Sequence, residues 1–184
     1  MSESPKDELV HHIAALRAFA MSLCGESATA DDMVQDTLIK AWTNIDKFTP
    51  GTNLRAWLFT ILRNTYYSHR RKRKREVPDV DGVMASRIAG KPDHDGRLQL
   101  ADFRTAFAQL TDQQREALIL VGASGFSYEE AAEMCGCAVG TIKSRTNRGR
   151  LRLVELMGLE DDDDLEMTDA GTMAVLSANG SSAA

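Results

Sequence analysis

The chain is poor in the residues from which many functions are built. Of its 184 residues only 6% are aromatic, four are proline and three are cysteine. An odd number of cysteines without an export signal argues against a disulfide framework. Cys135 and Cys137 are one residue apart, but no second cysteine pair or histidine follows at zinc spacing, and His11 and His12 lie far off in the chain. No metal and no cofactor are expected. There is no Gly-rich phosphate loop and no nucleophile–base pattern, so no catalytic residues are expected and the chain does not read as an enzyme. No window approaches the roughly 20 apolar residues of a membrane span, and no signal peptide opens the sequence. These absences imply a soluble, cytoplasmic protein with no membrane partner. Alternating strand patterns and internal repeats are missing too.

Charge is plentiful, and its distribution matters more than its sum. The net charge of −5 would argue against nucleic acid if it were spread evenly. Instead Arg70 to Arg75 is an unbroken run of six cations, and Lys143 to Arg152 holds five more. Seven acids crowd into Glu160 to Asp169. Two basic surfaces with an acidic tail suit a DNA-binding protein, the tail reading as a disordered solubilising segment over residues 159–184.

Hydrophobic residues make up 43% of the chain, enough for real cores. Apolar residues recur at helical intervals, which predicts an all-α fold. A first helix is expected from about Lys6 to Leu23, with Leu9, Ile13, Leu16, Ala20 and Leu23 inward. A second, N-capped by Thr29, should reach about Phe48 and bury Val34, Leu38, Ala41, Trp42, Ile45 and Phe48. After the break at Pro50–Gly51, a third starts near Asn53 and runs into the basic segment. Val77 to Arg97 contains three glycines, two prolines and no sustained apolar period, and reads as a flexible linker. Helical pattern resumes with Leu100, Phe103, Ala106, Phe107 and Leu110. Thr111 and Gln114 then form a capping box for a helix to about Gly122. The expected architecture is two small helical domains, 1–76 and 98–158, joined by the linker 77–97.

The segment from Ser127 to Leu153 carries the most information. Ser127 with Glu130 is a second capping box, Gly136 can take the positive φ of a tight turn, and a basic helix follows. That is the layout of a helix-turn-helix, whose second helix enters the DNA major groove. Ile142, Thr146, Gly149 and Leu153 share the inward face of this helix. Lys143, Ser144, Asn147 and Arg148 fall opposite and are side chains of the types that read base edges. Arg145, Arg150 and Arg152 are better placed for phosphates. Ala138 offers no hydroxyl to cap the helix, and Gly149 costs about 1 kcal/mol relative to Ala unless a close approach requires it.

Two pairs of segments together resemble the extracytoplasmic-function group of sigma factors, group 4 of the sigma-70 family. DDMVQDTLIKAW (Asp31 to Trp42) followed by NLRAWLFTILRNTYYSHRRKRKR (Asn53 to Arg75) is similar to that group's region 2. LTDQQREALIL (Leu110 to Leu120) followed by YEEAAEMCGCAVGTIKSRTNRGR (Tyr128 to Arg150) is similar to its region 4. The second half also resembles the alphaproteobacterial general-stress-response subgroup. The resemblance implies a subunit that binds core RNA polymerase and directs transcription initiation at double-stranded and locally melted promoter DNA, for stress-response genes and under the control of an anti-sigma factor. It places the polymerase contact on Asp32, Gln35, Asp36, Ile39 and Asn44. It places −10 contacts on Asn53, Asn64, Tyr67, His69, Arg70, Arg71 and Arg73, where an unstacked base needs polar edges and a surface to stack on. The −35 contacts map onto the stripe already picked on the second helix of the Ser127 to Leu153 segment. A sigma-like decoy that sequesters an anti-sigma factor is the alternative, but it has no need of a basic promoter-facing stripe.

Overall fold

The computed structural model describes residues 8–76 and 95–159. The chain divides into two compact units, Met1–Gly82 and Val83–Ala184. Among the described residues all regular structure is helical. The expected linker lies largely outside the described residues, and the acidic tail almost wholly so.

In the first unit a 3₁₀ turn, Leu9–His12, leads into α1 (Ile13–Cys24). Helix α2 spans Ser27–Thr43, a 3₁₀ turn covers Ile45–Lys47, and α3 spans Leu54–Glu76. The three helices pack around Leu16, Phe19, Leu23, Met33, Leu58, Phe59 and Leu62, and the rings of Phe19 and Phe59 stack at 4.9 Å. Gly25 ends α1 with φ of 73°, a left-handed conformation that glycine adopts without Cβ strain. Arg17 of α1 then grips α2, donating to Asp31 at 2.6 and 3.4 Å and to the Ser27 hydroxyl at 2.9 Å. The hydrogen bond from Arg17 holds the Asp31 carboxyl below the usual carboxylate range. His12 is held below its ordinary value by burial first and by the charge of Arg55 second.

Several expectations need correction here. Helix α2 begins at Ser27 with Glu26 as its N-cap, not at Thr29, whose hydroxyl instead donates to the Glu26 carboxylate at 2.6 Å. It ends at Thr43, short of Phe48, because the Asn44 side-chain amide caps the Lys40 carbonyl at 2.8 Å. Trp42, expected in the core, is 55% exposed. The buried stripe of α2 is Ala30, Met33, Val34, Thr37 and Ala41, and Trp42 lies one 100° step beyond it. Ile13 is likewise exposed at the start of α1.

The second unit contains α4 (Asp95–Ala108), α5 (Asp112–Leu118), α6 (Tyr128–Cys135) and α7 (Val139–Met157). Helix α4 starts at Asp95, three residues inside the stretch read as linker. Helix α5 opens on the expected capping box, with Gln114 N donating to Thr111 Oγ1 at 3.3 Å and Thr111 N donating back to Gln114 Oε1 at 3.0 Å. It then widens into a π turn, Ile119–Ala123, closed by Ser124 N to Ile119 O at 2.7 Å. The core joins Ala106, Leu110, Leu118 and Leu153, with Phe103, Phe107, Leu156 and Met157 packed against it.

Candidate nucleic-acid interface

The helix-turn-helix is built as the residues imply. Glu130 N donates to Ser127 Oγ at 3.1 Å and Ser127 N donates to Glu130 Oε2 at 2.9 Å, so two of the orphan amides at the start of α6 are satisfied. Gly136 turns the chain at φ 62°, and Cys137 N returns to Ala132 O at 3.0 Å. Helix α7 then follows Ala138, an N-cap residue that makes no side-chain cap, and its first turn closes through backbone bonds to the Ala138 carbonyl from Thr141 and Ile142.

On α7 the inward stripe is Ile142, Thr146, Gly149 and Leu153, all buried. Gly149 has a steric reason, because it faces α5. A Cβ there would sit 2.8 Å from Leu118 Cδ1, 3.2 Å from Leu118 Cγ and 3.4 Å from Gln114 Cβ. Lys143, Asn147, Arg148, Arg150 and Arg152 are exposed, while Ser144 and Arg145 are half-buried. The cations are not equivalent. The Lys143 ammonium stands 5.6 Å from the centroid of the Tyr128 ring. Arg145 Nη1 points at Cys137 Sγ, 3.7 Å away, back toward the turn. Arg152 Nη1 donates to Glu155 Oε2 at 2.6 Å. Asn147 and Arg148 are exposed on the side of α7 away from the buried stripe.

The candidate −10 residues lie along α3 and at its start. Asn53 caps that helix, its Oδ1 accepting from Ala56 N at 3.1 Å, so part of its bonding capacity serves the fold. Asn64 is exposed. Tyr66 and Tyr67 are both half-buried and meet edge to face at 5.2 Å. The Arg63 guanidinium covers the Tyr67 ring at 4.8 Å. Arg70, Arg71 and Arg73 are exposed near the helix end.

On α2 the residues Asp32, Gln35, Asp36 and Ile39 share one outward face at helical spacing, and Ile39 is 64% exposed. Asn44 does not belong to that face: as the C-cap it folds back on Lys40 O and also accepts from Lys47 Nζ at 2.7 Å. The exposed Trp42, three residues on from Ile39, extends the face instead. Its distance of seven residues from Gln35 was the sequence signal that could have placed it there. The structure also joins two residues assigned to different surfaces: His69 Nε2 lies 3.1 Å from Asp36 Oδ2. Among the described residues no group of His, Cys, Asp and Glu could hold a metal ion, and no helix is long and apolar enough to cross a membrane.

Comparison with known proteins meets this geometry. The family model for Sigma-70 region 2 matches residues 9–76, and that for Sigma-70, region 4 matches residues 100–153. The chain is 51% identical over 180 residues to the ECF RNA polymerase sigma factor EcfG of Rhodopseudomonas palustris, covering 98% of this chain and 99% of that one. Among solved structures, it is similar to the sigma factor RpoE of Bartonella quintana, crystallised with the anti-sigma factor NepR. That match has 57% identity and a TM-score of 0.74, and covers 84% of this chain and 97% of that one. It is also similar to CnrH in complex with the cytosolic domain of CnrY, at 28% identity and a TM-score of 0.58, covering 83% and 86%. Near-full-length identity and both family regions in order leave one conclusion: the chain belongs to the extracytoplasmic-function RNA polymerase sigma factors of the sigma-70 family.

Proposed function

We propose that this sigma factor docks on core RNA polymerase through α2, opens the −10 element along α3, reads the −35 element with α7, and serves stress-response promoters in the cytoplasm. The observation that carries the reading is the division of α7. Four buried residues fix one face against α5 and α6, so Lys143, Asn147 and Arg148 are presented together on the other. A helix so oriented can place side chains against base edges in a major groove. Arg150 and Arg152 flank that stripe and suit phosphates. Arg145, turned toward Cys137, serves the turn as much as the DNA.

Residues 1–76 form the polymerase and −10 module, 77–97 the linker, 98–158 the −35 module and 159–184 a tail outside both. In the first module Asp32, Gln35, Asp36 and Ile39, joined by Trp42, make a mixed acidic and apolar contact face of the kind that marks an interface. Asn64, Tyr67, His69 and the cations Arg70, Arg71 and Arg73 lie along the helix assigned to melted DNA. The chain does no chemistry of its own, and bond formation belongs to the polymerase. The capture of the Bartonella relative with NepR supports control by an anti-sigma factor.

Run-off transcription tests the whole reading. Core polymerase with this chain should initiate from promoters selected out of random DNA, where core alone does not. A chain that binds an anti-sigma factor but supports no initiation would instead be the sigma-like decoy.

A further inference from the structure

Lys143 is a long, flexible side chain on the surface, and such a group usually loses much rotamer freedom when it must hold one geometry against a base. Here it does not project alone. Its ammonium lies 5.6 Å from the centroid of the Tyr128 ring, within the range in which the negative face of an aromatic ring attracts a cation. Tyr128 is itself firmly placed. It is the first residue of α6, immediately after Ser127, and the reciprocal Ser127–Glu130 cap fixes the backbone on which the ring is mounted. The ring is half-buried while Lys143 is exposed, so the aromatic wall belongs to the fold and the cation to the surface.

From this arrangement we infer that Tyr128 is a positioning residue for promoter recognition: its ring holds the Lys143 ammonium in the orientation in which it meets the −35 element. The inference rests on the assignment of Lys143 to that element and adds a second residue to it, from the other helix of the motif. It also explains why two cations of similar reach, Lys143 and Arg148, are supported differently. Lys143 has three rotatable donors and gains direction from a wall, whereas the planar fork of Arg148 carries its own. Tyr128 therefore contributes to which sequence is chosen more than to how tightly DNA is held.

The test is a double-mutant cycle in holoenzyme, read as run-off transcription from a matched promoter and from a set substituted base by base through the −35 element. Tyr128→Leu should lower discrimination at the position that Lys143 addresses by about two- to fivefold, the range of an exposed cation–ring contact. Tyr128→Phe should restore it, because the ring face survives. In a Lys143→Met background Tyr128→Leu should have no further effect on selectivity. Equal loss on matched and substituted elements, or full additivity with Lys143→Met, overturns the inference and leaves Tyr128 as a packing residue. If Lys143→Met itself leaves the base preference unchanged, the assignment of Lys143 fails and the inference falls with it, a result distinguishable from the first. Should Tyr128→Leu not hold its fold, a series of ring-fluorinated phenylalanines at 128 drains the negative face at nearly constant shape. Selectivity that declines stepwise with fluorine supports the contact, and a flat series overturns it.

Discussion

Helices α3 and α7 are both rich in cations and use them in opposite ways. The six cations Arg70–Arg75 follow one another without interruption near the end of α3, and each successive residue advances about 100°. They therefore ring the helix, and all six are exposed. On α7 the five cations are interleaved with Ile142, Thr146, Gly149 and Leu153, which are buried and confine the charge to the outer arc. A ring of charge attracts phosphates from any direction and carries no sequence information. An arc fixed by a packed face has a direction, and only a directed group can tell one base edge from another. Positive charge sets how strongly such a protein holds DNA, and the apolar stripe behind it sets whether sequence is read.

The largest test of this contrast is to neutralise the ring. Replacing all six residues of Arg70–Arg75 by glutamine should weaken promoter complexes of the holoenzyme by on the order of 10³-fold at low salt. The slope of log affinity against log salt should flatten by up to about 5, while the order of preference among promoters stays as it was. Filter binding across a salt series checks both parts, and a changed order of preference would break the comparison.

The next test removes the direction of α7 without touching a charge. Gly149→Val pushes branched carbon into Leu118, where even a single Cβ would stand 2.8 Å from Cδ1. Leu118 is 1% exposed and can give way only by disturbing its core, so a loss of about 2–3 kcal/mol is expected in urea unfolding of the second unit. At temperatures where the variant is still folded, −35 selectivity should fall before non-specific affinity does.

Single cations sharpen the contrast further. Arg148→Ala should cost about 1–3 kcal/mol of discrimination at one −35 position, because that side chain faces outward with its fork available for a base. Arg152→Ala should weaken binding to all sequences alike and lower the salt slope by about 1. The ion pair of Arg152 with Glu155 adds a check of opposite sign. Both side chains are substantially exposed, so the pair is weak, and Glu155→Gln should raise affinity for any duplex by about two- to fivefold. A gain confined to matched promoters would place Arg152 among the base readers.

Much of this was legible in the sequence because local rules determine it. The two capping boxes, the left-handed Gly136 and the inward stripe of α7 each depend on residues within a few positions of one another. What could not be read depends on contacts across the fold. Trp42 is an exception: it looks like core by composition, but its spacing from Gln35 marks the outward face, and Ala41 takes the inward position. Gly149 announced a close approach without naming Leu118 as its partner. The support of Lys143 by Tyr128 spans 15 positions and two helices, so no periodicity could have disclosed it.

The smallest expected effect contrasts the two ends of α3 itself. At the far end the cations face solvent, whereas Arg55, in the first turn, lies over the Phe59 ring at 5.3 Å and acts on His12. Burial, reinforced by Arg55, holds His12 below its ordinary value of 6.5. In the unfolded chain the imidazole therefore takes its proton first as pH falls, and stability falls wherever the unfolded state binds more protons. This contribution is fully present above about pH 6.5 and is lost progressively below it, until the folded imidazole is protonated too. Asp31 acts in a separate window. Its carboxyl is lowered from 3.8 by the hydrogen bond from Arg17, so its stabilisation is present above that value and disappears as pH falls through the folded one. Thermal unfolding of the full chain between pH 8 and 3 should thus lose stability in two stages. His12→Gln should remove much of the first and leave the second. A variant whose melting temperature still falls as steeply between pH 7 and 5 as that of the parent would show that burial beside Arg55, at the inner end of α3, puts no such pressure on His12.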